Sequence, residues 1–239
     1  MNLGPARTYF RQLRARDAVR YLALKALQRA LDPWASNSYS QTGEDRIVAT
    51  LFGNAPGFYV DVGCNHPVKY SNTFELYKRG WHGINIDANE QLVDLCRRMR
   101  PRDVSVCATI SDSAREAVFT EFADSMVSSL SAEHVERWRT ARTVVRERRV
   151  ATRTLDDVLA ASSAPRRFDL LSIDVEGHDF EVLSSLDLDV YRPKLIVIEI
   201  HDFPLREPQR SKTWSHLTAN GYDLIGYAVM NGYFKDART

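Results

Sequence analysis

Gly57-Phe58-Tyr59-Val60-Asp61-Val62-Gly63-Cys64-Asn65-His66 is the stretch on which the fold turns. A short apolar run with a carboxylate near its end, followed by a glycine, reads as a buried strand whose tip bends sharply toward a ligand. Outward from it come further runs at Ile84 to Asp87, Val104 to Ala108, Leu170 to Asp174 and Leu195 to Ile200. Helical stretches at Thr73 to Arg79, Glu90 to Met99, Asp179 to Leu186 and Gln209 to Ala219 alternate with or follow them. This rhythm predicts βα units and an α/β fold with a mostly parallel sheet. Tyr222 to Val229 and Gly232 to Lys235, with Asn231-Gly232 between, predict an antiparallel finish.

The 239 residues are 44% apolar and 26% charged, with 11 glycines, as one packed domain requires. Disordered and collagen-like chains are excluded. No stretch approaches the roughly 18 to 20 apolar residues of a membrane span, and arginines recur where a signal peptide would need its apolar core. A cytoplasmic protein is expected. Cys64, Cys96 and Cys107 are an odd set without CxxC spacing, which suggests neither a disulfide framework nor a structural zinc site. A net charge of +1 makes no general case for nucleic acid.

The charge is unevenly placed. Arg7, Arg11, Arg14, Arg16, Arg20, Lys25 and Arg29 face the single acid Asp17, with Phe10, Leu13, Val19, Leu22, Leu24, Leu27 and Leu31 interleaved. The pattern predicts a basic amphipathic helix ended near Asp32-Pro33. Such a helix packs on the domain, joins a second subunit in a homodimer, or docks on an anionic inner membrane face or a partner enzyme. Ser36-Asn37-Ser38-Tyr39-Ser40 is a polar joint, dividing residues 1–35 as a helical extension from the domain at 36–239. Residues 123–153 form an insert crowded with Arg137, Arg139, Arg142, Arg146, Arg148, Arg149 and Arg153. The default reading is a solvated helix face; the alternative is a lid or docking surface for a phosphate-bearing substrate.

Ligands of open α/β sheets bind outside the carboxyl ends of the strands. Gly63 lets the backbone approach a ligand there, and Asp61 sets a carboxylate at the strand tip. The further glycines of G-x-G-x-x-G are missing, so a pyrophosphate is not the expected guest. Asp87 follows Gly63 by 24 residues, near the spacing of about 20 at which an acid meets ribose hydroxyls. One glycine and two acids suit S-adenosylmethionine, whose ammonium group needs an acceptor and whose ribose is unphosphorylated. Asn65 and His66, in the first loop, contact this cofactor or shape its pocket.

The blocks Ser40-Gln41-Thr42-Gly43-Glu44-Asp45, Gly57 to Gly63, His66-Pro67, Tyr70-Ser71-Asn72-Thr73, Gly80 to Asp87, Arg100-Pro101-Arg102-Asp103, Leu171 to His178, Arg192-Pro193-Lys194 and Val197 to Ile200 resemble, in order, the FkbM family of S-adenosylmethionine-dependent methyltransferases. The resemblance runs from about Tyr39 to about His201. It implies the class I methyltransferase fold, Rossmann-like, seven-stranded, with a reversed last hairpin. It further implies O-methylation of a sugar, glycoconjugate or glycosylated natural product. Cofactor contacts are then expected from Gln41, Glu44, Ala88, Thr109 and Asp174 beside Asp61, Gly63, Asn65 and Asp87. Residues 1–35 and the insert lie outside it.

Methyl transfer is an in-line displacement that needs the acceptor oxygen held and its proton removed. Asp174, Glu176 and His178 end the fourth strand; Glu199, His201 and Asp202 end the fifth. His178 is the first candidate for general base and His201 the second. Asp174, Glu176 and Glu199 are alternatively an oxygen ligand set for Mg²⁺. His66, Asn72, Thr73 and Glu199 are the candidates for acceptor contact; Asn72 and Thr73 otherwise cap a helix. His82, His134 and His216 read as structural. The competing reading is a catalytically silent cofactor-binding protein recruited to a membrane-associated biosynthetic assembly, against which the intact Asp174, Glu176, His178 set speaks. Nucleic-acid methylation has only the arginine clusters in its favour.

Overall fold

A computed structural model describes residues 15–31, 38–123 and 127–238. Helices α1 (Ala15–Leu31) and α2 (Glu44–Phe52) precede strand β1 (Phe58–Val62). Then come α3 (Phe74–Lys78), β2 (His82–Asp87), α4 (Glu90–Met99), β3 (Val104–Cys107) and β4 (Thr109–Ile110). The insert region follows as β5 (Glu116–Phe122), α5 (Ala132–Arg139) and β6 (Val144–Arg153). Next are α6 (Leu155–Ala161), β7 (Arg167–Ile173), α7 (Asp179–Ser184) and β8 (Arg192–Glu199). A 3₁₀ turn (Pro208–Arg210), α8 (Lys212–Ala219), β9 (Tyr222–Ala228) and β10 (Asn231–Asp236) end the described chain.

The main sheet has seven strands in the order β3-β2-β1-β7-β8-β10-β9. Its first five are parallel, and β10 runs antiparallel to both β8 and β9. This is the expected class I methyltransferase plan with its reversed hairpin. Strand alternation sorts the core into two layers. Val60, Val62, Leu171, Ile173, Ile196 and Ile198 face one layer with Leu155, Leu159 and Val182. Tyr59, Leu170, Leu195 and Val197 face the other, with Val48, Phe74, Leu76 and Trp81. The reversal between the last strands falls at Val229, whose φ is 57°, and Asn231-Gly232 already belong to β10 rather than to the turn.

Helix α1 is described from Ala15 to Leu31; its expected first turns, from Arg7, and its expected stop near Asp32-Pro33 lie outside the described residues. Ala18 is buried, while Val19, Leu24, Leu27 and Leu31 are exposed. Tyr21 Oη lies 2.6 Å from Tyr39 Oη and ties the helix to the joint before α2. Among the described residues no helix is long and apolar enough to cross a membrane.

The insert is not one solvated helix. Strand β6 pairs antiparallel with β5 and parallel with β4, in a second sheet of order β4-β6-β5, and α5 bridges β5 to β6. Arg146 and Arg148, two residues apart, project from one side of β6 onto the same carboxylate, Glu121 of β5, at 2.7 and 2.6 Å. The two-residue period of a strand was hidden in the sequence by the density of arginines. Helix α5 is the helical part, capped by Ser131, whose hydroxyl accepts the His134 N–H at 3.3 Å.

One buried cation organises the loops around β1. The side chain of Arg100, 0% exposed, donates to Pro67 O at 2.8 Å, Thr73 Oγ1 at 2.8 Å, Ser71 Oγ at 2.6 Å and Asn85 Oδ1 at 3.1 Å. Thr73 Oγ1 in turn donates to Asp61 Oδ2 at 2.6 Å, and Asp103 stands 4.0 Å from the guanidinium. Removing one partner of a buried ionic cluster leaves uncompensated charge and typically costs about 3 to 5 kcal/mol. Arg100→Met is therefore expected to lower stability by about that amount in urea denaturation. A loss of less than about 1 kcal/mol would show that the cluster is not what fixes these loops.

Candidate active site

A cavity opens at the carboxyl ends of β1, β2 and β7, the position expected for a ligand of an open α/β sheet. Gly63 forms its floor. The glycine has a φ of +80° and donates its N–H to Ile86 O at 2.9 Å; a Cβ there would lie 1.8 Å from the backbone oxygen of Asp174. Only glycine allows the tips of β1 and β7 to come together in this way.

Asp87 closes the end of β2. Its Oδ2 accepts the Asn65 N–H at 2.9 Å and its Oδ1 the Asn89 N–H at 2.8 Å, so the loop after β1 and the start of α4 fix the carboxylate. Burial pushes its pKa up to about 6, against the pull of those two amides. An acid so placed accepts ribose hydroxyls and repels a phosphate on the same sugar. Ile86, Leu92, Ile110 and Phe119 add an apolar flank of the kind a purine needs. The accepting carboxylate, the glycine floor and the apolar flank together fit S-adenosylmethionine.

Gln41, Gly63, Asn65, Asp87, Ala88, Thr109 and Asp174, all expected at the cofactor, line the cavity. Two expected contacts do not. Glu44, 3% exposed, accepts the Thr42 N–H and the Asn231 amide at 3.0 Å, joining α2 to β10 behind the wall. Asp61, 4% exposed, belongs to the Arg100 cluster. Alternation along β1 accounts for the difference: Asp61 shares the face of Tyr59, under α3, and not the cavity end.

The expected acceptor contacts are corrected in the same way. Thr73 is fully buried between Asp61 and Arg100. Asn72 donates to Ser172 Oγ at 3.2 Å. His66 Nδ1 accepts the N–H groups of Val68 and Lys69 at 3.1 and 3.0 Å, so the imidazole caps its own turn. None of the three lines the cavity.

At the end of β7, Asp174, Glu176 and His178 all line the cavity. The imidazole of His178, however, is turned toward the loop after β4, its Nε2 3.0 Å from Ser111 Oγ. Burial holds it below the usual imidazole range. Glu176 occupies the left-handed region, with φ of 59°, followed by Gly177 at 84°. For a residue with a Cβ this costs about 1 to 2 kcal/mol, and two braces hold it. Ser129 Oγ donates to Glu176 O at 2.7 Å, and the Asp179 carboxylate accepts the N–H groups of Val175 and Gly177 at 2.9 and 3.0 Å.

The oxygen set read from the sequence, Asp174, Glu176 and Glu199, does not converge as such. Asp174 and Glu199 meet Asp179, whereas Glu176 meets His134 and His201, each trio with its ligand atoms within 4.8 Å. Burial, then Glu199 and Glu176, push the Asp174 carboxyl well above the usual carboxylate range. His201 stands with Nε2 3.1 Å from Glu199 Oε2, outside the cavity wall itself. His134, read as structural from the sequence, is carried by α5 into this cluster. Its partners are over 40 residues away in the chain, and no local spacing signals the approach. Phe119, Glu121 and Phe122 of β5 and Ser128 and Leu130 of the insert also line the cavity, so β5 and the start of the insert border the site.

An open sheet of this order, with a glycine at the tip of β1 and an acid at the tip of β2 bordering one cavity, is the class I methyltransferase plan. The family model for the methyltransferase FkbM domain matches residues 61–224, and the chain belongs to that family of S-adenosylmethionine-dependent methyltransferases. Among solved structures, a TehB-like SAM-dependent methyltransferase from Corynebacterium glutamicum is similar at 13% identity and a TM-score of 0.41, covering 91% of this chain and 96% of its own. The 1,6-didemethyltoxoflavin-N1-methyltransferase of Burkholderia thailandensis is similar at 12% identity and a TM-score of 0.40, covering 90% and 85%. No curated protein matches the sequence.

The raised pKa of Asp87 gives its role a pH signature. A cofactor ribose bound here would donate its hydroxyls to the carboxylate, and below about pH 6 the ligand-free protein holds that group protonated. Affinity for S-adenosylmethionine is therefore expected to be level from about pH 7 to 8 and to weaken as pH falls through about 6. Asp87→Asn should weaken binding about tenfold or more at pH 8 and flatten this acid limb. Calorimetry on both proteins across the series makes the comparison; a folded variant with unchanged affinity would refute the assignment.

Proposed function

We propose that this methyltransferase acts on oxygen, transferring the methyl group of S-adenosylmethionine to a hydroxyl of a sugar, glycoconjugate or glycosylated natural product. The observation that carries the reading is that two acidic residues at the end of β7, Asp174 and Glu176, line the cavity together with Gly63. Carboxylates orient sugar hydroxyls by accepting their hydrogen bonds, and a hydroxyl attacking a methyl group must lose its proton to a nearby acceptor. Bound S-adenosylmethionine supplies an electrophilic methyl on a sulfonium. Asp87 orients the cofactor through its ribose, Gly63 admits its close approach, and Phe119 and Phe122 of β5 with Leu130 of the insert keep water from the reacting atoms. In this reading the ionised form of Asp174, not the Ser111-bound His178, takes the hydroxyl proton; because burial, Glu199 and Glu176 push that carboxyl well above the usual carboxylate range, turnover is expected to rise with pH. The blocks shared with the FkbM family support oxygen as the acceptor atom.

The test is a transfer assay with ¹³C-methyl S-adenosylmethionine and parallel panels of sugar nucleotides, glycans, amines and RNA, read by NMR. A new O-methyl resonance in a carbohydrate acceptor is expected. Asp174→Asn should lower turnover by about 10² to 10⁴, whereas His178→Gln should change it less than tenfold. Methyl transfer confined to nitrogen, or full turnover in Asp174→Asn, would refute the reading.

A further inference from the structure

The cluster between the insert and the tip of β8 holds more than the methyl-transfer reading uses. His134 of α5 is 5% exposed, and its Nε2 is buried without a hydrogen-bond partner. His201 Nε2 and Glu199 Oε2 are likewise buried and outside hydrogen-bonding alignment, though 3.1 Å apart. Buried polar atoms are satisfied in nearly all folded proteins, so two unpartnered imidazole nitrogens, His134 Nε2 and His201 Nε2, grouped with the Glu176 carboxylate, mark a missing partner. His134 Nε2 is 3.7 Å from Glu176 Oε2, too long for a hydrogen bond between them.

We propose that His134, His201 and Glu176 form a binding site for a divalent transition-metal ion. Their ligand atoms lie within 4.8 Å of one another. Bonds of about 2.1 Å in tetrahedral geometry would bring them to about 3.4 Å apart, a contraction within reach of side-chain rotation. Two imidazoles and one carboxylate select zinc, manganese, iron or cobalt over magnesium, which prefers oxygen ligands. The neighbouring trio Asp174, Asp179 and Glu199 is the weaker candidate, since Asp179 already braces two backbone amides. Three protein ligands leave a coordination position open. Glu176 lines the cavity, so this position borders the space assigned to the acceptor. The ion would also clip the insert, through α5, to the ends of β7 and β8.

Metal binding is measured on the full-length protein after dialysis against a chelator, without cofactor or acceptor, so that failure of the O-methylation reading leaves the result intact. Calorimetric titration with Zn²⁺ or Mn²⁺ is expected to show one site per chain with a dissociation constant of about 10 μM or tighter, and Mg²⁺ none at 1 mM. Co²⁺ should give visible absorption bands characteristic of nitrogen-containing, low-coordinate sites. His134→Gln and His201→Gln should each weaken Zn²⁺ binding at least about 30-fold while keeping the wild-type far-ultraviolet circular dichroism. Absence of saturable Zn²⁺ and Mn²⁺ binding to the wild-type protein would overturn the proposal, whatever the variants do. So would undiminished binding in both histidine variants, or a preference for Mg²⁺.

Discussion

A guanidinium sealed inside the protein is the constraint from which the rest follows. Arg100 sits at the end of α4, yet its donors reach the loop after β1 at Pro67, Ser71 and Thr73 and the middle of β2 at Asn85. Because the charge cannot stay buried alone, Asp61 and Asp103 are drawn in around it, and Tyr59 Oη bonds Asp103. The cluster locks the two central βα units together. The strand tips that carry Gly63 and Asp87 are thereby fixed relative to each other, and the cavity lies between them.

A second constraint operates across the cavity. The tips of β1 and β7 approach so closely that Gly63 has no room for a Cβ, and β7 then leaves through a left-handed Glu176 held by Asp179 and Ser129. Ser129 comes from the insert, so the turn that aims Glu176 is supported by the same segment that borders the cavity. The insert is thus both wall and brace. Its arginines serve largely in the second sheet: Arg146 and Arg148 pair with Glu121, and Arg148 also donates to Ala88 O at 2.8 Å beside the cofactor end.

Much of this was legible in the sequence. Apolar runs and helical stretches marked all five parallel strands and the reversed hairpin, and the strand tips announced Gly63, Asp87 and Asp174 as cavity residues. Failures arose where a residue's fate depends on distant partners. Asp61 and Thr73 have the residue types and positions of cofactor or acceptor contacts, and only the remote Arg100 turns them inward. Strand alternation on β1 was the available warning, since Asp61 shares the face of Tyr59 and not that of Val60 and Val62. His134 is the converse case: a histidine on a short helix in an arginine-rich stretch carries no local mark of its approach to Glu176 and His201. The β6 strand was obscured because its alternation is written in arginine and valine, with ion pairs to β5 doing what apolar contacts do elsewhere.

In the proposed reading the cofactor lies in the cavity at the tips of β1, β2 and β7, held by Asp87, with Asp61 sealed behind the wall. A crystal structure of the complex with S-adenosylhomocysteine decides the point. Both ribose hydroxyls are expected within hydrogen-bond distance of the Asp87 carboxylate, with the sulfur end over Gly63 and no contact between the cofactor and Asp61. A ribose away from Asp87, or an Asp61 carboxylate released from Thr73 to touch the cofactor, would contradict it.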